Sequence, residues 1–214
     1  MRKTLGAVIV LVVLCLAALM AAASWPGAPL RRDHGSIVSS EPDAGAPLPA
    51  ALGQFTPLDP PRPAPDLSLT GRDGKALRLA DFRGRFLLVN LWATWCAPCV
   101  REMPSLDRLQ GLEGDRLSVL AISEDRGAGH VVEPFLAKLG LQRLAVYLDP
   151  KAAAQEAFDV RGLPTSFLID RDGRILASLE GGADWDAPGM VAKLERYLRE
   201  DENSGRPIKA SAEQ

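Results

Sequence analysis

Two cysteines three positions apart, Cys96 and Cys99, lie where an apolar run gives way to a helix-forming segment: Val89-Asn90-Leu91-Trp92-Ala93-Thr94-Trp95-Cys96-Ala97-Pro98-Cys99. In the first turn of a helix this spacing lets the two sulfurs meet in a disulfide or share one thiolate. A thiolate there faces backbone N–H groups that lack partners and the positive end of the helix dipole, and both lower its pKa. Such a pair can attack a disulfide, hold a mixed disulfide and resolve it. The same residues could form a structural disulfide or half of a zinc site, but a strand–turn–helix setting is the one redox chemistry requires. Cys96, the N-terminal member, is expected to be the exposed nucleophile. Cys99, one turn in and partly covered, is expected to resolve the mixed disulfide. Ala97 and Pro98 set the geometry between them, since proline fixes φ and has no N–H to place in a first helical turn.

The elements that must position this pair can be read from apolar spacing and from turn residues. Residues 86–92 read as a buried strand and 96–111 as the helix that opens at Cys96, with Met103, Leu106 and Leu109 on one face. Ahead of them, 67–69 and 76–79 alternate as two strands around the turn Gly71-Arg72-Asp73-Gly74. After them come a strand at 117–122, a helix at 131–139 stopped by Gly140, a strand at 144–148 and a short helix at 151–158. A hairpin at 165–169 and 174–179 and a last helix at 188–199 close the domain. Alternating strands and helices predict an α/β sandwich with helices on both faces of the sheet.

Several separate features converge on one family. Trp95-Cys96-Ala97-Pro98-Cys99 after an apolar strand, Pro104 inside the helix, and Leu163-Pro164-Thr165 ahead of a strand resemble the thioredoxin superfamily. The run Asn90 to Cys96, with Cys99-Val100-Arg101-Glu102-Met103-Pro104, resembles its membrane-anchored TlpA/ResA-type branch, TlpA most of all. The resemblance covers about residues 65–198 and implies a thioredoxin-like three-layer sandwich. Its mixed central sheet would carry an N-terminal hairpin and a central helix-strand insertion at about 129–148. It also implies a cis bond before Pro164, which would bring the Leu163 backbone beside the nucleophile, where a substrate strand can pair. An ordinary trans turn is the alternative. Thr165 belongs to the same binding loop. Trp95 is expected to shield the site and contact partners, and Trp92, pointing the other way along the strand, to enter the core. Where thioredoxins carry a buried acid this chain has Asn90. Glu102, three residues past Cys99 on the same helix face, matches a glutamate that supports the thiols in ResA-type proteins, with a solvated helix residue as the alternative. Glu124 is a weaker candidate.

A net charge of −2 gives no polyelectrolyte signal, so nucleic acid is not an expected partner. Of three cysteines, Cys15 falls in the apolar N-terminal run, which leaves Cys96 and Cys99 free of any structural disulfide framework. No metal site is expected: the two histidines, His34 and His130, are far from the cysteines in sequence, and Val100 after Cys99 excludes a haem-attachment motif. The expected cofactor set is empty apart from the redox-active Cys96–Cys99 pair. Behind Arg2 and Lys3, residues 5–23 are apolar throughout, long enough as a helix to span roughly 28 Å. An uncleaved membrane anchor at 1–23 is expected, with Trp25 at the outer interface, although Ala21-Ala22-Ala23 would suit a cleaved signal. A Pro/Ala/Gly-rich tether at 24–64, a thioredoxin-like domain at 65–200 and a polar tail at 201–214 complete the layout.

The resemblance implies a thiol:disulfide oxidoreductase of the periplasm or an equivalent oxidising space, acting as a reductase. Its implied partners are copper-delivery or cytochrome oxidase assembly proteins, or apocytochrome c, with a membrane electron donor to recharge it. Two rivals use the same residues. A thiol peroxidase of the superfamily would want its cysteine in an activating loop with nearby Thr and Arg. A Cu(I) carrier would use the two thiolates as ligands.

Overall fold

The computed structural model describes residues 55–203. Among them the elements are β1 (Thr56–Pro63), β2 (Ser68–Gly71), β3 (Ala76–Arg78), a 3-10 turn (Leu79–Phe82), β4 (Phe86–Trp92), α1 (Ala97–Glu113) and β5 (Leu117–Ser123). They continue with α2 (Gly129–Leu139), β6 (Ala145–Leu148), α3 (Ala153–Ala157), β7 (Thr165–Ile169), β8 (Arg174–Glu180) and α4 (Pro188–Asn203). The expected anchor with Cys15, most of the tether with Trp25 and His34, and the tail from residue 204 lie outside the described residues. No helix among the described residues is long and apolar enough to cross a membrane.

One mixed sheet runs in the order β1-β8-β7-β4-β5-β6-β2-β3. Strand β4 is at its centre because every residue of Phe-Leu-Leu-Val-Asn-Leu-Trp is buried, the pattern of a strand covered on both faces. It pairs in parallel with β5, from Phe86 against Leu117 to Trp92 against Ser123. On its other side it pairs antiparallel with β7, where Leu91 meets Thr165. The insertion α2–β6 extends the sheet, since β6 runs parallel to β5 and carries the β2–β3 hairpin on its far side. Asp107 of α1 ties the insertion to the helix: its Oδ1 accepts the backbone N–H groups of Gln142, Arg143 and Leu144 at 2.9, 2.7 and 2.9 Å.

The two faces are covered unequally. Phe86, Leu88 and Trp92 pack with Met103, Leu106 and Leu109 of α1, Val132 and Leu136 of α2, and Met190, Leu194 and Leu198 of α4. Leu87, Val89 and Leu91, on the opposite face, pack with the hairpin, the 3-10 turn and Ala154 and Phe158 around the short α3. That helix is shorter than the expected 151–158. Ala152 has a left-handed conformation, and Asp149 Oδ2 accepts the Ala154 N–H at 2.6 Å, so the helix begins only at Ala153.

The tether boundary needs correcting. Residues 56–63, read as the end of a proline-rich linker, form β1 against β8, with Thr56 opposite Ser178 and Pro63 opposite Arg174. Proline lacks the N–H a central strand must donate, but at a sheet edge that group faces outward and its loss costs little.

Candidate functional site

The chain turns from β4 into α1 at the C-terminal end of the sheet. Asp125 fixes the turn: its carboxylate accepts the Thr94 N–H at 2.9 Å, the Thr94 hydroxyl at 2.7 Å and the Ser123 hydroxyl at 2.9 Å. Cys96 is the N-cap of α1, and Pro98 falls within the first turn. Cys96 and Cys99 are joined in a disulfide with their Cα atoms 5.3 Å apart. Cys96 Sγ also accepts the Cys99 N–H at 3.3 Å, so one of the helix's orphan donors points at that sulfur. Reduction would leave a thiolate on Cys96 facing this donor and the helix dipole. Cys96 is less open than expected, exposing 6% of its surface, and Cys99 exposes none, which keeps the order of access. Trp95 is 71% exposed beside them and forms the rim. Trp92 is fully buried, its ring 5.7 Å from that of Phe135.

The Leu163–Pro164 bond is cis. Because Thr165 pairs with Leu91, the loop before β7 lies at the same sheet end as the β4–α1 turn. Leu163 packs against the cluster that contains both cysteines. Gly181 N–H donates to Pro164 O at 2.9 Å, and the Thr165 hydroxyl donates to Gly162 O at 2.8 Å, so the loop is held from both sides.

Glu102 is fully buried, which removes the reading of a solvated helix residue. Its Oε1 accepts Asn90 Nδ2 at 2.8 Å, and its Oε2 accepts the Ala183 N–H at 3.0 Å and the Trp185 indole N–H at 2.9 Å. Asn90 Nδ2 also donates to Ser166 Oγ at 2.9 Å. Burial lifts the Glu102 carboxyl to about 7, against three N–H donors that each favour the charged form. Asn90 on β4 is thus bonded to an acid that α1 supplies three residues past Cys99. Neither Trp185 nor Ser166 was a sequence candidate. Trp185 left one trace, a lone aromatic in the polar run Gly-Gly-Ala-Asp-Trp-Asp.

Glu124 follows β5, and its N–H donates to Trp92 O at 2.9 Å. Its side chain is buried and neither carboxyl oxygen has a hydrogen-bond partner. Burial, with the charge of Asp149 nearby, lifts it to about 8. His130 is the second residue of α2, and among the described residues no group of three or more His, Cys, Asp or Glu side chains is arranged to hold a metal ion.

The chain is similar to known proteins. The Redoxin family model matches residues 60–198. The thiol-disulfide oxidoreductase ResA of Bacillus thuringiensis is 31% identical over 137 residues, covering 64% of this chain and 75% of that protein. ResA of Bacillus subtilis is 31% identical over 145 residues, covering 66% of this chain and 77% of that protein. Among solved structures, a candidate thiol:disulfide interchange protein DsbE of Chlorobium tepidum superposes with a TM-score of 0.59 at 29% identity, covering 68% of this chain and 99% of that one. The exposed lipoprotein thioredoxin Etrx1 of Streptococcus pneumoniae superposes with a TM-score of 0.53 at 29% identity, covering 63% of this chain and 98% of that one.

Proposed function

This chain belongs to the Redoxin family, as a ResA/TlpA-type member of the thioredoxin superfamily and a thiol-disulfide oxidoreductase, and from that premise we propose that it reduces disulfides of partner proteins outside the cytoplasm. The observation that carries this reading is the Cys96–Cys99 disulfide at the N-terminus of α1, with Cys96 the more accessible sulfur.

In this reading the dithiol acts in two steps. In the reduced protein the Cys96 thiolate attacks one sulfur of a partner disulfide, forming a mixed disulfide and releasing the partner's other sulfur as a thiolate, which takes a proton. Cys99 then attacks Cys96 Sγ, closing the Cys96–Cys99 disulfide and releasing the second partner sulfur. Two electrons pass from the dithiol to the partner. Glu102 serves the second step, taking the Cys99 proton as that sulfur becomes a nucleophile, a task suited to an acid titrating near 7. The Leu163 backbone and Thr165 receive the partner's extended chain beside Pro164, and Trp95 covers it from the rim. Pro98 keeps the two sulfurs in one turn.

The N-terminal segment 1–23 anchors the protein, with the catalytic domain on the periplasmic side. A membrane electron donor returns it to the dithiol, and no metal or organic cofactor takes part. The partners in this reading are proteins that assemble the copper sites of cytochrome oxidase, or apocytochrome c.

Trapping tests the reading. The Cys99→Ser protein should accumulate mixed disulfides through Cys96 that a small thiol releases, and Cys96→Ser/Cys99→Ser should accumulate none. Absence of adducts, together with tight stoichiometric Cu(I) binding, would turn the assignment to a copper carrier. Peroxide turnover by Cys99→Ser would turn it to a thiol peroxidase.

A further inference from the structure

Between β8 and α4 the chain runs through residues 181–187 without regular structure. This segment is stitched to one stripe of α1. Ala183 N–H and Trp185 indole N–H both donate to Glu102 Oε2. The Trp185 backbone N–H donates to Ser105 Oγ at 3.2 Å, and the Ser105 hydroxyl returns to the Glu102 carbonyl at 2.8 Å. Asp186 accepts Arg108 Nε and Nη2 at 2.6 and 3.1 Å. Glu102, Ser105 and Arg108 are three residues apart and so share one helix face. The Trp185 ring is fully buried, with the Phe55 ring edge-on 5.9 Å away.

We propose that Trp185 is a positioning residue for the thiol chemistry: its indole N–H, beside that of Ala183, holds Glu102 as a carboxylate and so sets how readily that acid takes the proton of Cys99. The proposal rests on the reading of Glu102 as the proton acceptor given above.

The donor set makes the case. All three groups bonded to Glu102 are N–H donors, and as they stand none can accept a proton from it. A proton on the remaining lone pair of Oε1 would find no acceptor among these groups unless one of them turned. The peptide N–H of Ala183 cannot turn away, and the indole is locked by its ring packing. Only the Asn90 amide can turn, and its Oδ1 is buried without a partner. A half-turn would offer that oxygen to the new O–H and would break the two bonds from Nδ2 to Glu102 and Ser166. The two donors from the 181–187 segment therefore oppose burial directly and favour the charged form. Of the other groups packed around Glu102, only Asn90 adds a donor, the third N–H that favours the charged form. Strands β4 and β7 bring the uncharged Asn90 and Ser166. On the loop, Asp184 is exposed and Asp186 is engaged with Arg108, while α1 itself brings Cys99, which titrates once reduced, and the partly exposed Arg101.

The test uses the full-length protein reducing insulin across a range of pH. Glu102→Gln should remove one acidic limb of the rate profile, which identifies that limb with Glu102. Trp185→Phe keeps an aromatic ring and removes one donor to the carboxylate. It should move the same limb to higher pH by about one unit, a roughly tenfold change in the proton affinity of Glu102. In the unmutated protein labelled with 15N-tryptophan, the Trp185 indole N–H resonance should titrate with the midpoint of that limb. If Glu102→Gln leaves the profile intact, the reading of Glu102 fails and this proposal with it. If Glu102→Gln removes the limb but Trp185→Phe leaves it in place, only the proposal about Trp185 is overturned. Should Trp185→Phe fail to fold, the resonance decides: a midpoint shared with the limb supports the proposal, and a flat titration overturns it.

Discussion

Glu102 and Glu124 are buried carboxyls that attach to neighbouring points of one strand. Glu102 bonds to the Asn90 side chain, and Glu124 bonds through its backbone to Trp92. Both are lifted above the ordinary carboxyl value, to about 7 and about 8. They differ in their partners. Glu102 collects three N–H donors, whereas both oxygens of Glu124 are bare and Asp149 adds a like charge. Desolvation reinforced by a nearby like charge thus lifts Glu124 to about 8, an acid mostly neutral at neutral pH. Desolvation opposed by directed donors produces one that changes charge near neutrality, where a thiol reaction can use it.

The widest separation between the two sites should appear when each acid is replaced by leucine. Glu102→Leu strands three buried N–H donors, each costing about 1–3 kcal/mol, so a loss of at least about 3 kcal/mol is expected in urea unfolding of the oxidised protein. Glu124→Leu removes a buried carboxyl without partners and should be neutral or gain about 1 kcal/mol at pH 8. Equal losses at both positions would erase the distinction.

A second separation concerns pH. Each acid binds its proton more tightly in the folded protein than in the unfolded chain, where the value is 4.5. The stability they contribute is therefore complete below pH 4.5 and is lost as pH rises through about 7 for Glu102 and about 8 for Glu124. Oxidised protein, whose cysteines do not titrate, should need less urea to unfold at pH 8 than at pH 5. Each acid contributes a slope of at most ~1.4 kcal/mol per pH unit. Glu124→Gln should remove the slope between about pH 7 and about pH 8 and leave only the share of Glu102 between pH 4.5 and about 7. The smallest effect belongs to the rim of the Glu102 site. The Arg108–Asp186 pair is half exposed on the arginine side, so Arg108→Ala should cost less than about 1 kcal/mol and leave the insulin-reduction profile unmoved.

What could be read from the sequence follows from how local each signal is. The strand Phe86–Trp92 declares itself by seven residues in a row, and the Cys-Ala-Pro-Cys helix start by four. The α2–β6 insertion shows in helical spacing that ends at Gly140, which takes the left-handed conformation the helix end requires. The partners of Glu102 were not legible, because the bond from Trp185 closes a separation of 83 residues and no periodicity announces it. Asp125 is illegible for a different reason. It reads as one charge in a polar turn, and only the fold shows it gathering Thr94 and Ser123 around the approach to Cys96. Glu124 shows in the sequence only as an acid after a strand, since its lack of partners comes from packing at the end of β5 and not from its neighbours in sequence.

The proline-bearing strand β1 also governs how this molecule meets copies of itself. A sheet edge with free N–H and C=O groups is a template on which another chain can add a strand, and crowded proteins aggregate by that route. Half of the eight residues in Thr-Pro-Leu-Asp-Pro-Pro-Arg-Pro have no N–H to offer, and the pairing to β8 is interrupted between Pro57 and Arg62. The opposite edge, β3, is only three residues long before the chain turns away. Among the described residues the eight-stranded sheet thus ends in two margins that discourage growth, one by missing donors and the other by brevity. Its margins are thereby poor nuclei for self-assembly.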